Sequence, residues 1–92
     1  MATIIIPTPL RKFTSNQSTF QTESESVGDS IQQLIGTYPD IGAHLLDDQG
    51  KIRSFINIFV GDDDIRGLER EATPVRGETV ISIVPAIAGG LQ

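Results

Sequence analysis

The chain has 92 residues, 38% hydrophobic and 21% charged, and twelve acidic against seven basic side chains leave a net charge of −5. That size suits one small domain with a modest core, and that composition excludes a disordered tail or a membrane span. Negative charge argues against a nucleic-acid or anionic-membrane partner. With no cysteine there is no disulfide framework, thiolate metal site or cysteine nucleophile, which fits a cytoplasmic location.

The β-branched run Ala2 to Ile6, closed by Pro7 and Pro9, predicts a first strand. Arg11 to Ser26 is polar and rich in Ser and Thr, with Phe13 and Phe20 as isolated apolar points. It reads either as a long mobile loop with a return strand near Ser18 to Glu23, or as a partly disordered loop. Val27, Ile31, Leu34, Ile35 and Tyr38 then fall on one face of a helix. Ser26 and Asp29 form a capping-box-like start and Pro39 ends the helix, because proline disfavours helical geometry at Tyr38 and lacks a donor. Asp40 is a candidate cap for a short second turn carrying Ile41, Leu45 and Leu46, and Asp47-Asp48-Gln49-Gly50 reads as a turn.

Phe55 to Val60 alternates, with Ile56, Ile58 and Val60 on one face and Phe55, Asn57 and Phe59 on the other. Gly61 to Asp64 reads as a turn, Ile65-Arg66 as a brief strand and Leu68 to Val75 as an irregular crossing. Arg76-Gly77-Glu78 turns into a last strand, Val80 to Val84. The order strand, strand, helix, strand, strand predicts an α+β domain, with one main helix across one face of a mixed sheet of four to five strands.

Few side chains offer chemistry. Asp62-Asp63-Asp64 lacks the spacing and distal Glu of a calcium loop, and consecutive carboxylates cannot all face one ion, so it reads as a solvated turn and no metal site is expected. His44 is the only histidine and reads as a surface or helix-end residue. If the aliphatic face of Phe55 to Val60 meets the helix, Phe55 and Phe59 point away from it, and Val84 joins them if the two strands are neighbours. Exposed aromatics on a bare sheet face mark partner-docking surfaces. The alternative is a small second core beneath the Arg11 to Ser18 segment.

The sharpest feature is the neutral end. No side chain after Glu78 is charged, and Ala88-Gly89-Gly90 follows the last strand and Pro85 without a linker. Paired glycines leave no side chain to block a narrow channel, so such a tail can thread into another protein's active site.

On these residues the chain resembles the ubiquitin-like sulfur carriers of the MoaD/ThiS superfamily, nearest its MoaD-like and CysO-like branch. YPDIGAHLLDDQGKIRSFINIFVGDDDIR is similar to the family's segment from the helix end through the central strand, and TPVRGETVISIVPAIAGG to its closing segment. The resemblance implies a β-grasp fold and a carrier rather than an enzyme. A MoeB/ThiF-type enzyme would adenylate the Gly90 carboxylate with ATP, and a sulfur donor would then leave a thiocarboxylate. Ala88, Gly89 and Gly90 would thread partner sites, Phe55, Phe59 and Val84 would dock partners, and the carrier itself would bind no cofactor.

The acceptor implied is a PLP-dependent cysteine- or homocysteine-type synthase. Alternatives are the small subunit of molybdopterin synthase, docked on its large subunit, a ubiquitin-like modifier joined to lysines through Gly90, and an inert interaction domain. Family members commonly end at Gly-Gly, whereas Leu91 and Gln92 follow here. The expectation is a carrier domain over residues 1–90 and an extension, 91–92, that a JAMM-type metallopeptidase removes by cutting between Gly90 and Leu91; the alternative is an added remnant. Gly61 replaces a usual Asn and Glu78 a usual Asp.

Overall fold

The structure, a computed structural model, describes residues 1–85. Its five strands are β1 (Ala2–Ile5), β2 (Thr19–Thr22), β3 (Ile56–Val60), β4 (Asp63–Asp64) and β5 (Val80–Pro85), in the sheet order β2-β1-β5-β3-β4. Strands β1 and β5 are parallel at the centre, and the other neighbours are antiparallel. This mixed sheet, crossed on one face by helix α1 (Val27–Thr37), is the β-grasp arrangement expected from the sequence.

Alternation decides what the sheet buries. Ile4, Ile81 and Val60 lie in register across three strands, and with Ile58 and Ile83 they turn toward α1, whose Val27, Ile31 and Leu34 complete the core. Helix α1 begins as the capping reading requires, since the Asp29 N–H donates to Ser26 Oγ at 3.1 Å. Thr22 and Gln33 bond through their side chains, and Gln33 Nε2 also donates to Glu23 O, tying the helix to the end of β2.

The crossing from Leu68 to Val75 is anchored by Val27 N–H to Thr73 O at 2.9 Å and Val75 N–H to Glu25 O at 3.1 Å. Gly28 lets Glu71 approach closely beside it. A Cβ there would sit 3.2 Å from both Cβ and O of Glu71.

Four sequence expectations change. Residues Thr8–Phe13 form a 3₁₀ helix that buries Leu10, and Phe13 and Phe20 pack against the core, so Arg11 to Ser18 is not a mobile polar loop. Thr14 is fully buried there, its hydroxyl bonded to Arg11 O and Gln17 O. After Pro39 a 3₁₀ turn, Pro39–Ile41, runs into the short helix α2 (Gly42–Leu45), and Asp40 sits within that turn rather than capping it. The brief strand expected at Ile65-Arg66 is instead β4 at Asp63–Asp64, leaving Gly61 and Asp62 as the tight turn, while Ile65–Gly67 is a 3₁₀ turn that Asp64 caps through Arg66 N–H. Gly61 has φ +61°, a conformation that glycine and asparagine tolerate best, which explains how Gly can stand where Asn is usual. The Leu68 to Val75 crossing contains a further 3₁₀ turn, Arg70–Ala72.

The Asp47 turn forms as expected. Asp47 Oδ1 accepts the N–H groups of Gln49 at 2.8 Å and Lys51 at 3.0 Å. The bond from Lys51 and then that from Gln49 hold its carboxyl below the ordinary aspartate value. A depressed pKa contributes stability that is present above the unfolded value of about 3.9 and is lost as pH falls through the folded value. Asp47→Asn is therefore expected to lose less thermal stability than the parent between neutral pH and about pH 3. Melting curves across that range check it, and parallel curves would contradict it.

Candidate functional surface

The face of the sheet opposite α1 carries no helix among the described residues. Register places Ile5, Ser82, Phe59 and Asp64 in one row across four strands, with Thr3 beside Val80 and Asn57 beside Val84 in flanking rows. Phe59 and Val84 are diagonal neighbours, since Val84 lies two residues beyond the partner of Phe59. Phe55 precedes β3 at the end where β5 reaches Pro85, and is 49% exposed; Val84 is 43% exposed and Phe59 half-buried. The three expected docking residues thus lie around the last residues of β5.

The alternative of a second core fails, because Leu10 and Phe13 pack into the main core and the Phe13 ring stacks on His44 of α2 at 4.2 Å. His44 is an exposed helix residue, as expected. Val80, 43% exposed, and half-buried Ile5 extend the patch. The outward parity of Phe55, Phe59 and Val84 was readable from the sequence, but not that Ile5 and Val80 extend the same face.

Arg66 gave no such signal. Strand β4 stops at Asp64, leaving the first half of β3 without an edge partner. Arg66 fills that gap: Nη2 donates to Ser54 O at 2.9 Å and Ile56 O at 3.1 Å, and Nη1 to Asn57 Oδ1 at 2.6 Å. Its pair with Asp64 is long, at 4.0 Å. Ile56 and Asn57 are the residues that pair with Pro85 and Val84, so Arg66 steadies the site where β5 ends.

Arg66→Met should cost about 1.5 kcal/mol, the low end for a charged donor because water can reach these acceptors. It should also speed amide exchange at Asn57 and Val84. Unchanged exchange there would contradict this role.

No group of carboxylates and histidines that could hold a metal ion occurs among the described residues. Asp62, Asp63 and Asp64 divide between the turn and β4. No helix among the described residues is long and apolar enough to cross a membrane. The tail residues Ala88, Gly89, Gly90 and Leu91 lie outside the described residues.

The pattern of the ThiS family matches residues 4–90. The chain belongs to the ThiS family. It is 36% identical over 90 residues to the sulfur carrier protein CysO of Mycobacterium tuberculosis, spanning 96% of this chain and 97% of that one. The crystal structure of M. tuberculosis CysO superposes with a TM-score of 0.86 at 32% identity, over 95% of this chain and all of that one. A chain of the Amycolatopsis orientalis BexX/CysO complex gives 0.90 at 30% identity, over 98% of this chain and 100% of that one. In this family the relatives are named as carriers, not catalysts, and the match accounts for both the β-grasp sheet and the strand that leads to the glycine pair.

Proposed function

We propose that this ThiS-family chain carries sulfur as a thiocarboxylate on Gly90 and delivers it to a PLP-dependent synthase of the cysteine or homocysteine type. The observation that carries the reading is the family match ending at Gly90, on a chain whose curated relatives are sulfur carrier proteins. The two residues beyond that match, Leu91 and Gln92, are read as an extension to be cut away by a JAMM-type metallopeptidase, because only a free Gly90 carboxylate can be activated.

A carboxylate is a poor acyl donor, since its leaving group would be an oxide. In a MoeB/ThiF-type partner, a Gly90 carboxylate oxygen would attack the α-phosphorus of ATP and release pyrophosphate. Sulfide delivered by the sulfur donor would then attack the acyl carbon and release AMP, leaving a thiocarboxylate on the backbone terminus. The carrier contributes reach, through Ala88, Gly89 and Gly90, and a docking face, through Phe55, Phe59 and Val84. Protein partnership is supported by the matched structure, in which CysO is in complex with BexX.

The acceptor is tested by incubating thiocarboxylated carrier ending at Gly90 with a PLP-dependent synthase or with a molybdopterin synthase large subunit. Sulfur transfer to the first is expected. Transfer only to the second would overturn that part of the reading, and lysine-linked adducts in place of either would point to a protein modifier.

A further inference from the structure

The two edges of the sheet are built differently. At one edge β4 consists of two aspartates, and Arg66 occupies the carbonyls of Ser54 and Ile56 that β4 leaves open. Edge charges and covered acceptors are common protections against pairing with another chain. Strand β2, at the other edge, has neither. Thr19, Phe20, Gln21 and Thr22 include no charge and no proline, and their register with β1 runs without a bulge.

That register decides which backbone groups of β2 face outward. Ile6 N–H donates to Ser18 O at 2.8 Å, so Ser18, Phe20 and Thr22 turn their backbone groups toward β1, and Thr19 and Gln21 turn theirs away. Among the described residues nothing bonds the N–H and C=O of Thr19 and Gln21. The next outward carbonyl, that of Glu23, is taken by Gln33 Nε2. The open edge is therefore these four groups. Between them stands Phe20, half-buried on the α1 face and edge-on to Tyr38 with ring centroids 6.1 Å apart.

We propose that β2 pairs antiparallel with β2 of a second copy of this chain, centred on Phe20. This centring sets Thr19 of each copy against Gln21 of the other, each pair exchanging two N–H to C=O bonds, so every open group is used. Centring on Gln21 would instead set Thr19 against Glu23, whose carbonyl Gln33 already holds. The two Phe20 rings become cross-strand neighbours on the α1 face, an aromatic pair that withdraws surface left open in the single copy. Charge agrees with the direction. Arg11, whose Nε donates to Ile6 O at 3.0 Å, and Lys12 lie toward the Ser18 end of β2, whereas Glu23 and Glu25 follow its other end. Antiparallel pairing thus brings the basic end of each copy to the acidic end of the other. The docking face stays open, because β5 and β3 lie two and three strands inward from β2. So short a strand makes a reversible contact, with Kd on the order of 0.1 mM.

The test is sedimentation equilibrium of the full chain up to about 1 mM, with amide NMR spectra over the same range to report both contact and fold. The parent is expected to approach a dimer, and the Thr19 and Gln21 amides to shift with concentration. Gln21→Pro removes an outward N–H at an edge position where proline is tolerated, and should weaken dimerisation about tenfold or more. Thr19→Lys/Gln21→Lys keeps every backbone donor but sets lysines opposite one another, and should weaken it as much. A parent that stays monomeric, which would leave this edge to a different protein's strand, dimerisation that either folded variant leaves intact, or concentration-dependent shifts centred on Phe59 and Val84 would each overturn the proposal.

Discussion

Ile81→Ala is expected to reduce the unfolding free energy by about 3–4 kcal/mol, within the usual range for removing a fully buried isoleucine. Ile81 has no exposed surface and lies on β5, the strand that joins β1 to β3, directly between Ile4 and Val60. The lost methyl groups leave a space that cannot close easily, because neighbours on both sides are fixed by sheet pairing. Against a total stability of about 5–15 kcal/mol for a domain of this kind, that is a substantial share. Urea unfolding midpoints of the parent, Ile81→Ala and Val80→Ala measure it. Val80, next along the strand but on the exposed face, should change by less than about 1 kcal/mol. Equal losses at the two positions would contradict the assignment of faces.

Val84→Asp is expected to do the reverse: to leave the fold intact and weaken partner use. Val84 stands exposed beside Asn57, one residue before Pro85, so an aspartate there can stay hydrated in the free protein. Against an apolar partner surface it would have to lose that water, a cost of about 2 kcal/mol or more at the centre of an interface. KM for the carrier in the adenylation reaction should therefore rise by about tenfold or more, while kcat at saturation changes little, the pattern of lost uniform binding. Phe59→Ala is less clean, because Phe59 is half-buried and its loss also removes packing. Unchanged KM for Val84→Asp, with its thermal midpoint unchanged, would remove Val84 from the docking face.

Where the sequence was legible, a local periodicity matched the final environment. Helix α1 shows its 3.6-residue spacing, its Ser26 cap and its Pro39 stop, and all three act within a few residues of chain. Strands β3 and β5 show alternation because one face of each is buried. Strand β4 has only Asp63 and Asp64, with no apolar signal; it exists because the turn at Gly61 returns the chain beside Phe59 and Val60. The 3₁₀ helix at Thr8–Phe13 was hidden by prolines and polar residues, and the burial of Thr14 depends on hydroxyl bonds that composition does not reveal.

The candidate site divides in the same way. Phe55, Phe59 and Val84 could be placed on one face from parity, whereas the reach of Arg66 to Ser54, Ile56 and Asn57 depends on where β4 stops. The glycine pair is a sequence feature throughout.

Intact mass measurement of the chain ending at Gly90, beside the full 92-residue chain, after incubation with ATP, a MoeB/ThiF-type enzyme and a sulfur donor tests the carrier proposal most directly. The expected result is the mass gain of one sulfur replacing one oxygen on the chain ending at Gly90, and none on the full chain unless a JAMM-type peptidase is added. No gain on the Gly90-ended chain under conditions in which the same enzyme loads a CysO relative, or sulfur found on Gln92 of the uncut chain, would contradict it.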